Sequence, residues 1–237
     1  MNPLKEFDNY VSNYDVSDKD IKLKYDHSIR VMKLMEKYSK ILSFNDYDIH
    51  LAAIIGLLHD IGRFEQLRIY HTYDDDKSID HAEYGAKILF DDKLIEKFWD
   101  NKEDYELIKF SIRNHNKFEI EKITDNRILK FAKLIRDIDK MDIIYLMGNL
   151  YKYETTSDEI SKKVKEDILN HKQAKKEDIK NKNDELALCF SFAFDINFDE
   201  CINEFKENLD SFYKSLNDDK FKEIYLCVIN YLKERMC

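Results

Sequence analysis

Turn-forming residues are nearly missing from this chain: four glycines and a single proline, Pro3, serve 237 residues. Hairpin-rich β folds need glycine and proline at their tight turns, whereas long helices do not. The apolar residues also recur at helical rather than alternating intervals, so an all-α fold is expected. With 43% hydrophobic and 37% charged residues, the expected protein is globular with a well-solvated surface.

Several of the apolar stripes carry or end on a side chain that can bind a metal. A helix start at Ser17-Asp18-Lys19-Asp20 leads into a stripe of His27, Val31, Leu34 and Tyr38, running to about Leu42. Asn45 and Asp46 cap the next helix, whose apolar run from Ile49 to Leu58 finishes on His59 and Asp60. Buried helices rarely end on two adjacent polar groups, because uncompensated burial is costly. Gly62 is read as the stop of this helix, and residues 63 to 80 as a long loop without clear periodicity. In that loop Arg63 is placed to meet an anion, while His71 and Asp74-Asp75-Asp76 fit a solvated face.

A helix from Ile79 or Asp80 carries His81, Tyr84, Gly85, Ile88 and Leu89 on one side. Glycine inside a helix costs about 1 kcal/mol relative to alanine, so Gly85 suggests a closely approaching backbone or ligand. A helix over 103 to 115 sets His115 on the stripe of Ile108 and Ile112. In the helix from Arg127 to about Leu150, Asp139 continues the stripe of Ile128, Ala132 and Ile135, and Asp142 lies on the neighbouring stripe. One of these two aspartates fits a metal ligand, the other a structural acceptor. Residues 152 to 185 are rich in Lys and Glu, with Ile160, Val164 and Ile168 as one thin apolar face, and read as an outer helix, a lid or an insertion. Residues 186 to 198 are apolar enough to be buried, and two amphipathic helices fit 200 to 215 and 219 to 235. No linker separates front from back, so 1 to 237 reads as a single helical domain, with a core at 20 to 150 and a C-terminal helical extension.

His27, His59, Asp60, His81, His115 and Asp139 come from successive helices, which can converge on one pocket. Imidazole with carboxylate suits Fe, Mn, Zn or Ni rather than an all-oxygen calcium cage, and Mg remains compatible. An aspartate can bridge two divalent ions, and such a pair supports phosphoester hydrolysis without a side-chain nucleophile.

The order His27, then His59-Asp60 in LLHDIGR, His81 in DHAEYGAKIL, His115 in IRNHN and Asp139 in IRDIDKMD resembles the HD superfamily of metal-dependent phosphohydrolases. His81 and His115 make it similar to the binuclear subset, which includes HD-GYP phosphodiesterases and diadenosine tetraphosphate hydrolases. The resemblance implies one metal on His27, His59, Asp60 and Asp139, and Asp60 bridging to a second on His81 and His115. Arg63 stands where the HD-GYP group has a phosphate-binding lysine, which implies catalytic roles for Asp60 and Arg63. There is no GYP triplet, and Asn116 follows His115, which argues against a cyclic dinucleotide substrate. The same ligand set resembles the HD-type mixed-valent di-iron oxygenases typified by myo-inositol oxygenase. A regulatory nucleotide-binding HD module is a further reading, opposed by the presence of all six ligands.

A net charge of -9 and a pI of about 5.4 disfavour a nucleic-acid polymer as partner. A small anionic phosphorylated substrate remains compatible, since a metal reverses the local field. Cys189, Cys201, Cys227 and Cys237 form no CxxC pair, so reduced thiols are expected. The first residues lack a signal pattern, and the apolar run from Leu51 to Leu58 is too short for a bilayer, so a cytoplasmic protein away from membranes is expected. The sequence leaves the oligomeric state open.

Overall fold

A computed structural model describes residues 2–150 and 153–236, and every regular element among them is helical. None of the helices is long and apolar enough to cross a membrane. The chain divides into two compact units, Met1–Arg136 and Asp137–Cys237.

The first unit opens with α1 (Pro3–Val11), capped by Asn2, and α2 (Lys19–Ile41), capped by Asp18. α3 (Asp46–Leu58) starts on Asn45, whose side chain accepts from the Asp48 N–H. Residues Ile49, Leu51, Ala52 and the whole run Ile54–Leu58 are buried while Asp46, Tyr47 and His50 are exposed, so α3 runs from the surface inward and delivers its C-terminal end inside the unit.

α4 (Gly62–Tyr70) replaces the first half of the expected loop. Its inward residues are Phe64, Gln66 and Leu67, and a glutamine among two apolar groups gives too thin a stripe to register as periodicity. Gly62 therefore begins a helix rather than ending one. The reversal at His59–Ile61 is tight, with the Ile61 N–H on Leu58 O and the Arg63 N–H on Asp60 O, at 3.1 and 2.9 Å. His71 then closes α4 with φ of 54°, exposed.

α5 (His81–Ala86) starts on Asp80, whose carboxylate accepts from the N–H groups of Ala82 and Glu83. It widens into a π turn over Lys87–Asp91, a feature that apolar spacing does not reveal. α6 (Tyr105–Asn114) buries Leu107, Ile108, Phe110, Ser111 and Ile112. α7 (Asn126–Asn149) is capped by Asp125, which accepts from the N–H groups of Arg127 and Ile128; residues up to Arg136 belong to the first unit.

In the second unit, α8 (Lys162–Leu169) has Val164 and Ile168 fully buried, packed on α9 (Lys182–Ser191) and α11 (Lys222–Arg235). Buried Asp184 accepts from the N–H of Ser161 and Lys180, and Asn183 bonds Thr156 and Asp158, so the described part of the Lys/Glu-rich segment is tied down. Phe190, Phe205, Phe212 and Phe221, the middle two from α10 (Ile202–Leu216), are fully buried in this unit. Burial pushes the Asp137 carboxyl up to about 7, against the N–H groups of Asn197 and Phe198 that favour its charge. Cys189 and Cys201 are buried and Cys227 half-buried, and Cys237 lies outside the described residues.

Candidate metal centre

Five of the six sequence candidates lie in the first unit, which gathers them around the Asp60 carboxylate. His27 comes from α2, His59 and Asp60 from the turn after α3, His81 from the first position of α5, and His115 from the end of α6. Each is at most 2% exposed.

Two glycines make this convergence possible. A Cβ on Gly56 would lie 2.8 Å from Met35 Cγ and 3.0 Å from Val31 O, so α2 and α3 cross almost backbone to backbone. One turn beyond that crossing His59 meets His27, with their Nε2 atoms 3.2 Å apart. A Cβ on Gly62 would lie 2.2 Å from His81 O and 2.8 Å from the Gly85 nitrogen. The first turns of α4 and α5 are therefore in backbone contact, which sets Asp60 beside His81, and Gly85 is indeed where another backbone approaches.

His115 is held from behind by Arg136. This arginine is fully buried, and its guanidinium donates to the carbonyls of Asn114, His115, Lys117 and Phe118 at 2.7, 3.4, 2.5 and 3.2 Å. A cation at a helix C-terminus satisfies the last carbonyls and opposes the macrodipole. Arg136→Met is expected to cost about 3 kcal/mol or more, because buried acceptors lose their donor. Denaturant unfolding measures this; a loss under about 1 kcal/mol would mean that water replaces the guanidinium.

The Asp60 carboxylate divides its two oxygens between two imidazole pairs. Oδ2 lies 3.5 Å from His27 Nε2 and 3.7 Å from His59 Nε2. Oδ1 lies 3.2 Å from His81 Nε2 and 3.5 Å from His115 Nε2, and those two nitrogens are 3.0 Å apart. Burial would raise the Asp60 carboxyl, but Lys24 and the surrounding imidazoles outweigh it and hold it well below the usual carboxylate range.

The outer ring nitrogens fix the inner ones. His59 Nδ1 is 2.8 Å from Gly56 O and His115 Nδ1 is 2.7 Å from Ile112 O. A carbonyl only accepts, so both Nδ1 atoms carry hydrogen, and a cation at the centre would meet the Nε2 lone pair of each neutral ring. Imidazole nitrogens ligating one ion at about 2.1 Å come to rest roughly 3.0 to 3.4 Å apart, depending on the coordination geometry, and the two pairs stand 3.2 and 3.0 Å apart. His59, Asp60 and His115 each offer a ligand atom within 4.8 Å of the others, a spacing that can hold a metal ion.

The third outer partner is Asp75, from the acidic run read as a solvated face. Its Oδ2 accepts from His81 Nδ1 at 2.7 Å, and its Oδ1 accepts from Arg63 Nη1 and Gln66 Nε2, both at 2.8 Å. Burial opposes the charge on Asp75, but His81 and Arg63 hold its carboxyl far below the ordinary value. Carboxylates behind ligating histidines orient the ring and raise its basicity. Asp75→Asn is expected to weaken metal binding at the His81–His115 pair by about 10- to 100-fold while sparing the His27–His59 pair. Stepwise Mn²⁺ titration reads this directly, and two unchanged affinities would confine Asp75 to shaping its loop.

Arg63 is enclosed by its neighbours. Besides Asp75, its Nη1 donates to Gln66 Oε1 and Tyr73 O, both at 2.7 Å, and its Nε lies 3.7 Å from Asp60 Oδ1. Lys24, not singled out from sequence, places its Nζ 2.7 Å from Asp60 Oδ2. Its position one turn before His27 on α2 was the available signal. Gln66 and Arg136 gave none, since both are polar residues whose burial depends on segments distant in sequence. Asp139, the sixth candidate, lies on the part of α7 that belongs to the second unit; it is 9% exposed, and Asp142 is 1% exposed.

A family model described as HD domain matches residues 25–144, just over half of the chain, spanning every one of these candidates. No curated protein and no solved structure gives a significant match.

Proposed function

Because the chain belongs to the HD-domain family, we propose that it is a divalent-metal-dependent phosphohydrolase acting on a small phosphorylated substrate such as a nucleotide, a dinucleotide or another phosphoester. The observation that carries this reading is the split Asp60 carboxylate, with one imidazole pair facing each oxygen. Bound there, divalent ions supply the charge neutralisation and the lowered water pKa that phosphoester hydrolysis requires.

The residues of the chain divide that work among themselves. His27 and His59 would hold one cation and His81 and His115 the other, with Asp60 shared between them. Asp139 completes the first set in this proposal, supported by the family resemblance and by its buried carboxylate. Asp75 holds the His81 ring with Nε2 inward, and Arg63 braces Asp75 against the Asp60 side of the site. The enclosure of every ligand keeps bulk water from competing for these positions, which strengthens each electrostatic contact.

The test is phosphate release from a panel of nucleotides, dinucleotides and sugar phosphates, with Mn²⁺ or Fe²⁺ supplied. Release by the wild type, absent in Asp60→Ala, is the expected result. No release from a protein carrying two metals per chain would overturn the hydrolase reading and make O₂ consumption by the iron-loaded protein the next measurement.

A further inference from the structure

The Lys24 ammonium has three donor hydrogens. Its hydrogen bond among the described residues is to Asp60 Oδ2, at 2.7 Å. The same amine stands 5.3 Å from the centroid of the Tyr73 ring, which favours a cation over its face. Tyr73 is itself fixed by its hydroxyl, which donates to Asp20 O at 2.6 Å. Lys24 is thus steered toward the centre from its solvent side: its side chain is 16% exposed, against 3% for Asp60.

Arg63 is differently placed. Nη1 is taken up by Gln66, Tyr73 and Asp75, and Nε is buried without a hydrogen-bond partner. Turning the guanidinium toward an incoming anion would break the bond to Asp75 and, with it, the support of His81. Turning the Lys24 amine needs only rotation of a flexible four-carbon stem, and two donor hydrogens are available without breaking anything.

We propose that Lys24 is a substrate-binding residue, whose ammonium holds a non-bridging phosphoryl oxygen of the substrate beside the Asp60 carboxylate. This assignment rests on the hydrolase reading and names the contact that orients the phosphoryl group in it. Asp60 Oδ2 faces the His27–His59 pair, so an oxygen held by Lys24 lies at the solvent edge of that pair. Charge-assisted bonds of this kind are the strong ones in phosphate recognition.

The experiment uses the full chain loaded with Mn²⁺, with inorganic phosphate as probe. Lys24→Met and Lys24→Arg are compared with wild type by calorimetric phosphate titration, by Mn²⁺ content per chain, and by KM and kcat on any substrate found. Lys24→Met is expected to weaken phosphate binding by about 10-fold or more with Mn²⁺ content unchanged, raising KM more than it lowers kcat, and Lys24→Arg to recover most of the loss. Equal phosphate affinity in Lys24→Met overturns the assignment alone. A weaker affinity that tracks lost Mn²⁺ also overturns it, making Lys24 a support for Asp60. A wild type that holds its Mn²⁺ but binds no phosphate overturns both the assignment and the hydrolase reading.

Discussion

If Asp60 is shared between two ions as proposed, Asp60→Asn is expected to abolish turnover, by on the order of 10³-fold or more, and to reduce the metal content from two ions per chain to at most one. Asparagine matches aspartate in size, so the cavity is not the reason. One of its two terminal atoms is an NH₂ group, which donates and cannot ligate, so one of the imidazole pairs loses its shared oxygen. The negative charge that offsets two cations is lost as well, as is the acceptor for Lys24. The fold should survive, because the residues that α3 buries are apolar. A substrate-free readout is available in chelator experiments. Stripping metal should lower the melting temperature of the wild type, because a ligand that binds only the folded state stabilises it by mass action, and should lower that of Asp60→Asn by less. Two metals per chain with turnover within tenfold of wild type would end the claim that Asp60 is shared between them.

What could be read from the sequence was whatever depends on one helix at a time. The stripe through His27 and Val31, the enclosed run ending on His59 and the stripe ending on His115 each declare a helix with a polar group where burial should forbid one. Starts at Asp18 and Asn45 were legible for the same reason, since capping is a contact across two or three residues. What could not be read depends on segments meeting across the fold. Asp75 looks like one of three solvated aspartates until His81 Nδ1 is found 2.7 Å away. Arg136 looks like an ordinary helix-surface cation, yet it is fully buried because the carbonyls at the end of α6 surround it. α4 was hidden by Gln66, whose amide is buried for its bonds to Asp75, Ser78 and Ile79 rather than for apolar contact. Gly62, with nothing in its neighbours to say otherwise, reads as a helix stop.

That glycine carries the second large effect. Gly62→Ala is expected to destabilise the protein by about 3 kcal/mol or more and to empty the His81–His115 pair of metal. The added Cβ would lie 2.2 Å from His81 O and 2.8 Å from the Gly85 nitrogen, and both obstacles are backbone. Side chains can rotate away from a new methyl group, whereas backbone moves only with its helix, so α5 must shift from α4. His81 is the first residue of α5 and moves with it, while Asp60 stays on the α3–α4 turn. Gly85→Ala is the control, because its Cβ would meet the Gly62 nitrogen at 3.2 Å and a rotatable Ile61 methyl at 3.3 Å. There a few tenths of an ångström of relaxation suffice, and the gain of about 1 kcal/mol in helix propensity offsets much of the strain. Thermal unfolding of the metal-free proteins should therefore separate the two variants by about 6 °C or more, with Gly62→Ala the lower. Equal melting temperatures would mean that the α4–α5 contact yields easily, and the close approach of Asp60 to His81 would then need another support.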